Sequence, residues 1–147
     1  MLSFNYAAGA RNRCSQVLRQ SLLIAAVFMI VGVIGFVFFP IPLIRLFSGE
    51  AQAAEIGRVA FPLIGAGFLP AVPAWIFPVF FQAIGHNFKS VALIVLRQIV
   101  LLVPIAWVLS LLGLNFVWLT FPISEIITSS LGVYYYLRWR KKEQQHR

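Results

Sequence analysis

Residues Ser21–Ile44 read SLLIAAVFMIVGVIGFVFFPIPLI, 24 positions without a charged side chain. A helix needs about 20 such residues to cross a hydrocarbon core, so this stretch can span with some tilt. Basic residues precede it and Ala51-Gln52-Ala53 follows, a layout shared with secretory signals. A signal's apolar core runs only about 7–15 residues, and three further apolar stretches follow here, so an anchor fits better. They are Val59–Ile84, about Val91–Leu112, and Phe116 to about Leu137. Membrane β-strands need only about 9–11 alternating residues, far fewer than these near-continuous runs. The expected fold is an all-α integral membrane protein with four transmembrane helices, A to D.

Composition agrees. Apolar residues make up 61% of the 147 positions and charged residues 11%, against roughly 45–50% and 25% in soluble domains. A net charge of +8 raises nucleic acid as a partner. Yet no basic stripe lies on a soluble face and no aromatic-basic module is present, so nucleic acid is not expected. The basic residues flank the apolar stretches instead. Residues 1–20 form a polar N-terminal segment, 21–137 the membrane region, and 138–147 a basic tail. Four spans put both ends and the loop Gly85–Lys89 on one side, with nine basic residues there. Arg45 and Arg58 are the two on the other side, and Arg97 lies inside helix C. That asymmetry predicts cytoplasmic termini, in a plasma (inner) membrane.

Finer placements follow. Tyr134, Tyr135, Tyr136 and Trp139 suit the cytoplasmic interface, and Phe116 with Trp118 the opposite one. Ser48 is placed to cap a short helix in the connection Arg45–Arg58. Val17-Leu18-Arg19-Gln20 recurs as Val95-Leu96-Arg97-Gln98, which puts Arg97, like Arg19, near headgroups where it can snorkel. Cys14 is the one cysteine, so an internal disulfide and a cysteine zinc cluster are excluded. It is expected in an exposed segment. No other metal-ligand set can be named from the sequence.

Enzyme chemistry finds no foothold. The chain has no Asp, and its acids are Glu50, Glu55, Glu125 and Glu143. P-loop, dinucleotide and His-Glu-x-x-His patterns are missing. A triad built on Glu would need His86 or His146, both expected on the cytoplasmic side, away from Glu125. Neither an enzyme nor a cofactor is expected.

Glu125 is the strongest single position. It lies 10 residues after Asn115 and 13 before Arg138, about 15 and 20 Å from the two ends of helix D. A charged carboxylate there costs roughly 2.5–3.5 kcal/mol, and a carboxyl at such depth can take up and release a proton. Thr128, Ser129 and Gly132 extend a small, polar face along the same helix. Pro122 cannot donate to the carbonyl of Trp118, leaving a free acceptor nearby. Glu125 is read either as a proton or ion carrier or as a neutral group bonded to a neighbouring helix. A pair with Arg97 would have to bridge roughly 9 Å of depth.

Helix B carries Pro62, Pro70, Pro73 and Pro78 within 17 residues, and Pro104 and Pro122 add kink positions in C and D. With Gly65, Gly67 and a terminal Gln82, helix B reads as a broken helix lining a pathway, or as a bent packing helix. Gly67 and Ala71 form a small-xxx-small pair, which favours close packing. Trp75 and Trp107 could hold an aromatic or organic cation, or simply face lipid.

Several stretches resemble the multidrug and toxic compound extrusion (MATE) family. Leu2-Ser3-Phe4-Asn5-Tyr6-Ala7-Ala8-Gly9-Ala10-Arg11-Asn12 is similar to the family's segment between helices eight and nine. Phe80-Phe81-Gln82-Ala83-Ile84-Gly85-His86 resembles the end of its tenth. Leu96-Arg97-Gln98 with Pro104 resembles the eleventh. Trp118-Leu119-Thr120-Phe121-Pro122-Ile123-Ser124-Glu125 is similar to the twelfth. The resemblance implies the C-terminal third of a twelve-helix antiporter, part of a six-helix lobe. Such a transporter exchanges Na⁺ or H⁺ for small organic, often cationic, substrates. Its partners would be the lipid bilayer and either the remaining transporter helices or another copy of the chain. Glu125, Gln82, Thr128 and Ser129 become the candidate ion or substrate pathway. Four helices alone are expected not to transport, and the polar faces of B and D are expected to need cover. A four-helix homodimeric exporter and a non-transporting scaffold are the alternatives.

Overall fold

In the computed structural model, residues 2–47 and 50–145 are described. Helix α1 (Leu2–Ala7) turns at Ala8-Gly9 into α2 (Arg11–Phe38). α2 thus begins at Arg11, well before the uncharged stretch. Hydropathy reports depth in lipid, whereas backbone hydrogen bonding continues past the membrane edge wherever the residues permit. Arg13 and Arg19 ride on exposed positions of that extension.

The expected helix A is two helices. Phe39 precedes a proline, which crowds it out of the helical region, and it sits at φ −125°, ψ 42°. Pro40 then opens α3 (Pro40–Phe47), at a position where a missing N–H costs nothing. Ser48, the expected cap, lies outside the described residues. α4 (Ala51–Ala83) follows an extended Glu50 that makes no side-chain cap, so helix B starts inside the expected polar connection. It continues through all four prolines as one helix. The third crossing is α5 (Asn87–Val95), a π-helical segment (Leu96–Leu101) and α6 (Leu102–Ser110). The fourth is α7 (Leu114–Val117) followed by α8 (Thr120–Gln145). Four helical stretches, Asn12–Phe38, Ala51–Ala83, Asn87–Ser110 and Leu114–Glu143, are long and apolar enough to cross a membrane. The all-α membrane fold stands.

α4 is the central helix, flanked by α2, α5 and α8. Small residues bring α4 and α8 together at two levels. A Cβ on Gly67 would lie 3.2 Å from the backbone nitrogen of Pro122, and one on Gly132 would lie 2.7 Å from the Phe77 ring. Those close approaches bracket Glu125 along α8. On the outside, Leu23, Ile24, Val27, Phe28 and Val31 of α2 are exposed, as suits lipid or further helices.

One end of the bundle closes on aromatic side chains. Phe77, Phe80, Phe81 and Trp139 form a buried cluster with Leu18, Ile84 and Leu93. Trp139 meets Phe80 edge-on at 5.1 Å. It was expected at the cytoplasmic interface, and at this end of the bundle α8 turns it into the core while Arg138, Arg140, Lys141 and Lys142 stay exposed around it. α1 folds back so that Leu2 and Tyr6 pack on the same cluster. That fold-back corrects the placement of Cys14, which is fully buried with its sulfur 3.9 Å from the Leu2 carbonyl.

Candidate functional site

The site begins with one face of α8. Thr120, Ser124 and Thr128 recur every four residues, so they stack on one side of the helix. With Glu125 they are all buried, Glu125 at 6% exposure and Thr128 at 0%. The polar face was expected to need outside cover. Gly67 and Gly132 let the neighbouring helix come close enough to supply it from within the chain. Ser124 donates to the Phe121 carbonyl at 3.0 Å. Ser129 is only partly buried and donates to Ile126 at 3.0 Å. Gln82 is exposed near the end of α4. Of the four pathway candidates, Glu125 and Thr128 share the buried face, and Ser129 and Gln82 sit off it. Pro122 is in the first turn of α8, where helical N–H groups have no intrahelical partner anyway. Its missing N–H is therefore no loss to the helix.

The third crossing supplies the counter-charge. Over Leu96–Leu101 its hydrogen bonds skip five residues instead of four. Pro104 gives a cause: its ring crowds the carbonyl of Val100, and it has no donor for it. A wider turn relieves that crowding, and such turns occur frequently at functional sites. Arg97 lies in the widened turn and points inward. Its Nε donates to Glu125 Oε1 at 2.9 Å, and its Nη2 is 2.7 Å from the same oxygen. The guanidinium carbon also lies 4.0 Å from the ring centroid of Trp75 on α4. Three crossings meet on one cation.

Arg97 was expected among the headgroups, and the structure corrects this. The third crossing starts at Asn87 rather than Val91, so Arg97 is about 15 Å along it. The remaining difference in depth is taken up by the long arginine stem and the widened turn. Trp75 cannot offer its face to an outside cation while Arg97 covers it. Trp107 is 67% exposed on the outer surface.

Both arginine donors converge on Oε1. Glu125 Oε2 is buried with no hydrogen-bond partner, and so is Thr128 Oγ1 one turn further on. Buried polar atoms are rarely left unpaired. The pair is therefore electrically balanced but half satisfied, with an open acceptor on Glu125 and an unpaired hydroxyl one turn away on the same buried face. A proton can occupy Oε2. Among the described residues no three His, Cys, Asp or Glu side chains gather as a metal site. Charge balance outweighs the depth difference that counted against this pair in the sequence: one acid and one base inside adjacent crossings favour each other over lipid.

The MatE family model matches residues 1–108. The chain belongs to the MATE family. As a MATE protein it is a multi-pass membrane protein of the multidrug and organic-cation efflux class, and the family are transporters rather than enzymes. The match takes in Trp75 and Arg97, while Glu125 lies beyond it. Neither curated proteins nor solved structures gave a match.

Proposed function

We propose that this chain is the C-terminal part of a secondary antiporter driven by Na⁺ or H⁺. In it Glu125 carries the coupling ion and Arg97 is its resting counter-ion. The observation that carries this reading is the buried Arg97–Glu125 pair with Oε2 and Thr128 Oγ1 left open. A proton or Na⁺ arriving at Glu125 weakens its hold on Arg97. The guanidinium is then left with Trp75, on a widened turn that can shift its hydrogen-bond register. A cationic substrate drawn to the same carboxylate competes with the coupling ion. Such exclusive occupancy is the basis of exchange, since each ligand weakens the binding of the other.

The test uses proteoliposomes holding the chain together with a segment that supplies the other eight helices. Glu125→Gln keeps size and polarity but cannot ionise. Exchange driven by a pH or Na⁺ gradient should be lost, with insertion and helicity unchanged. Normal gradient-driven exchange in the Gln variant would remove Glu125 from the mechanism.

We further propose the plasma membrane, with the aromatic end of the bundle in the cytoplasm, on the balance of basic residues. Asn12 and Arg140 are exposed at that end, and buried Cys14 supplies a silent background. An impermeant maleimide should label Asn12→Cys and Arg140→Cys in inverted vesicles and not in intact spheroplasts. The parent chain should react only after denaturation. Labelling of the variants from outside would reverse the orientation, and rapid labelling of the parent would refute the burial of Cys14.

A further inference from the structure

A cleft of about 730 Å³ opens at the aromatic end, where α1, the α4–α5 turn and the last turns of α8 meet. Its walls carry Lys89, Arg138 and Lys142 together with His86, and one acid, Glu143. Among the described residues none of the three cations is held in a salt bridge. Lys89 lies 5.4 Å from the Phe81 ring centroid and Arg138 lies 5.6 Å from that of Tyr134. Both cations therefore rest on aromatic faces, with their hydrogen-bonding capacity uncommitted. Tyr6 donates to Glu143 at 3.4 Å.

A second observation points to an absent acceptor. Trp139 lines the cleft at 5% exposure, and its indole N–H is buried without a partner. An indole can only donate, so what it lacks is an acceptor. His86 fits the same picture. Burial, and then the Lys89 charge, lower its pKa below the ordinary 6.5, with Glu143 opposing. Its charged form is therefore disfavoured in the unliganded cleft, which leaves Lys89, Arg138 and Lys142 as the cations.

We propose that this cleft binds the phosphate of an anionic phospholipid headgroup. Arg138, Lys142 and Lys89 would hold the charge, and a small shift of the Trp139 ring would bring its indole N–H to a phosphate oxygen. Location favours a lipid over a soluble phosphate. The cleft sits at the level where the crossings Ala51–Ala83 and Asn87–Ser110 meet. Beside it Phe88, 87% exposed, presents an apolar ring that suits the edge of an acyl layer. Basic pockets between membrane helices bind such headgroups. The site is separate from Arg97 and Glu125, and it stands whether or not those residues couple export.

The full chain in detergent, with dioleoyl phosphatidylglycerol or phosphatidylcholine added, would be examined by native mass spectrometry. One phosphatidylglycerol should stay bound at concentrations where phosphatidylcholine is lost. Arg138→Gln with Lys142→Gln should weaken retention roughly thirtyfold, and Trp139→Phe roughly fivefold. Arg140→Gln with Lys141→Gln removes the same charge from exposed neighbours outside the cleft, and should change retention less than about twofold. Equal losses from the two double variants would reduce the effect to diffuse tail charge and overturn the site. Retention unchanged by Arg138→Gln with Lys142→Gln would also overturn it. Binding of inorganic phosphate or glycerol 3-phosphate as tightly as the lipid would overturn the lipid assignment. All the variants would be checked for unchanged helicity by circular dichroism.

Discussion

Arg97→Leu is expected to destabilise the bundle by about 3–5 kcal/mol, and adding Glu125→Leu to it should recover most of that loss. Breaking a buried pair strands a charge, whereas replacing both partners with apolar side chains of similar size is often neutral or stabilising. The two single variants should also differ. Glu125→Leu leaves a guanidinium that cannot shed its charge, with the face of Trp75 as its remaining partner. Arg97→Leu leaves a carboxyl that can shed its charge by binding a proton but whose second oxygen already lacks a partner. Each single variant should therefore cost more than the double variant. Detergent melting or denaturant unfolding of the full chain gives the cycle directly, and non-additivity measures the coupling. Additive losses would mean that the two side chains do not act as a pair.

The four apolar runs made the fold legible, because bilayer thickness and composition together leave few alternatives. Helix ends were less accessible. Asn12–Ser21 and Ala51–Arg58 are helical although polar, and hydropathy cannot see hydrogen bonds that continue beyond the lipid. The break at Phe39-Pro40 was written in the sequence through the restriction on the residue before proline. Close packing of α4 was legible in Gly67 and Ala71, though not that α8 is the helix that meets it at Gly67.

The site was half legible. Glu125 stood out as the acid in mid-span, while its pairing with Arg97 was discounted on depth. The local likeness of Val95–Gln98 to Val17–Gln20 pointed Arg97 toward the headgroups, and uniform helical rise gave it the wrong depth. Both inferences assume a regular helix, and the widened turn at Leu96–Leu101 departs from one. The burial of Cys14 and Trp139 was hidden for another reason. Their burial depends on α1 meeting the end of α8, a contact between residues 137 apart in the chain for Tyr6 and Glu143. No local pattern encodes such a contact.

The chain reconstituted alone is expected to show no gradient-dependent uptake. Alternating access usually requires two repeats or bundles rocking about a site near the midplane. Here α4, the third crossing and α8 enclose the Arg97–Glu125 pair, with Glu125 at 6% exposure and Thr128 at 0%. An exposed polar face would have driven self-association or degradation, since hydrocarbon cannot satisfy it. With that face covered internally, the expected product is a folded, inserted and inactive bundle. Missing function then reflects a missing opposite wall rather than misfolding. Proteoliposomes with an imposed Na⁺ or pH gradient and a fluorescent organic cation distinguish the cases. Purified chain alone should give no uptake. Adding a separately expressed segment with the other eight helices should produce uptake that Glu125→Gln abolishes. The exposed apolar face of α2, with Leu23, Val27 and Phe28, is where those helices have room to dock. Uptake by the chain alone, rising with the square of its density in the membrane, would instead identify a second copy as the opposite wall and a homodimeric exporter.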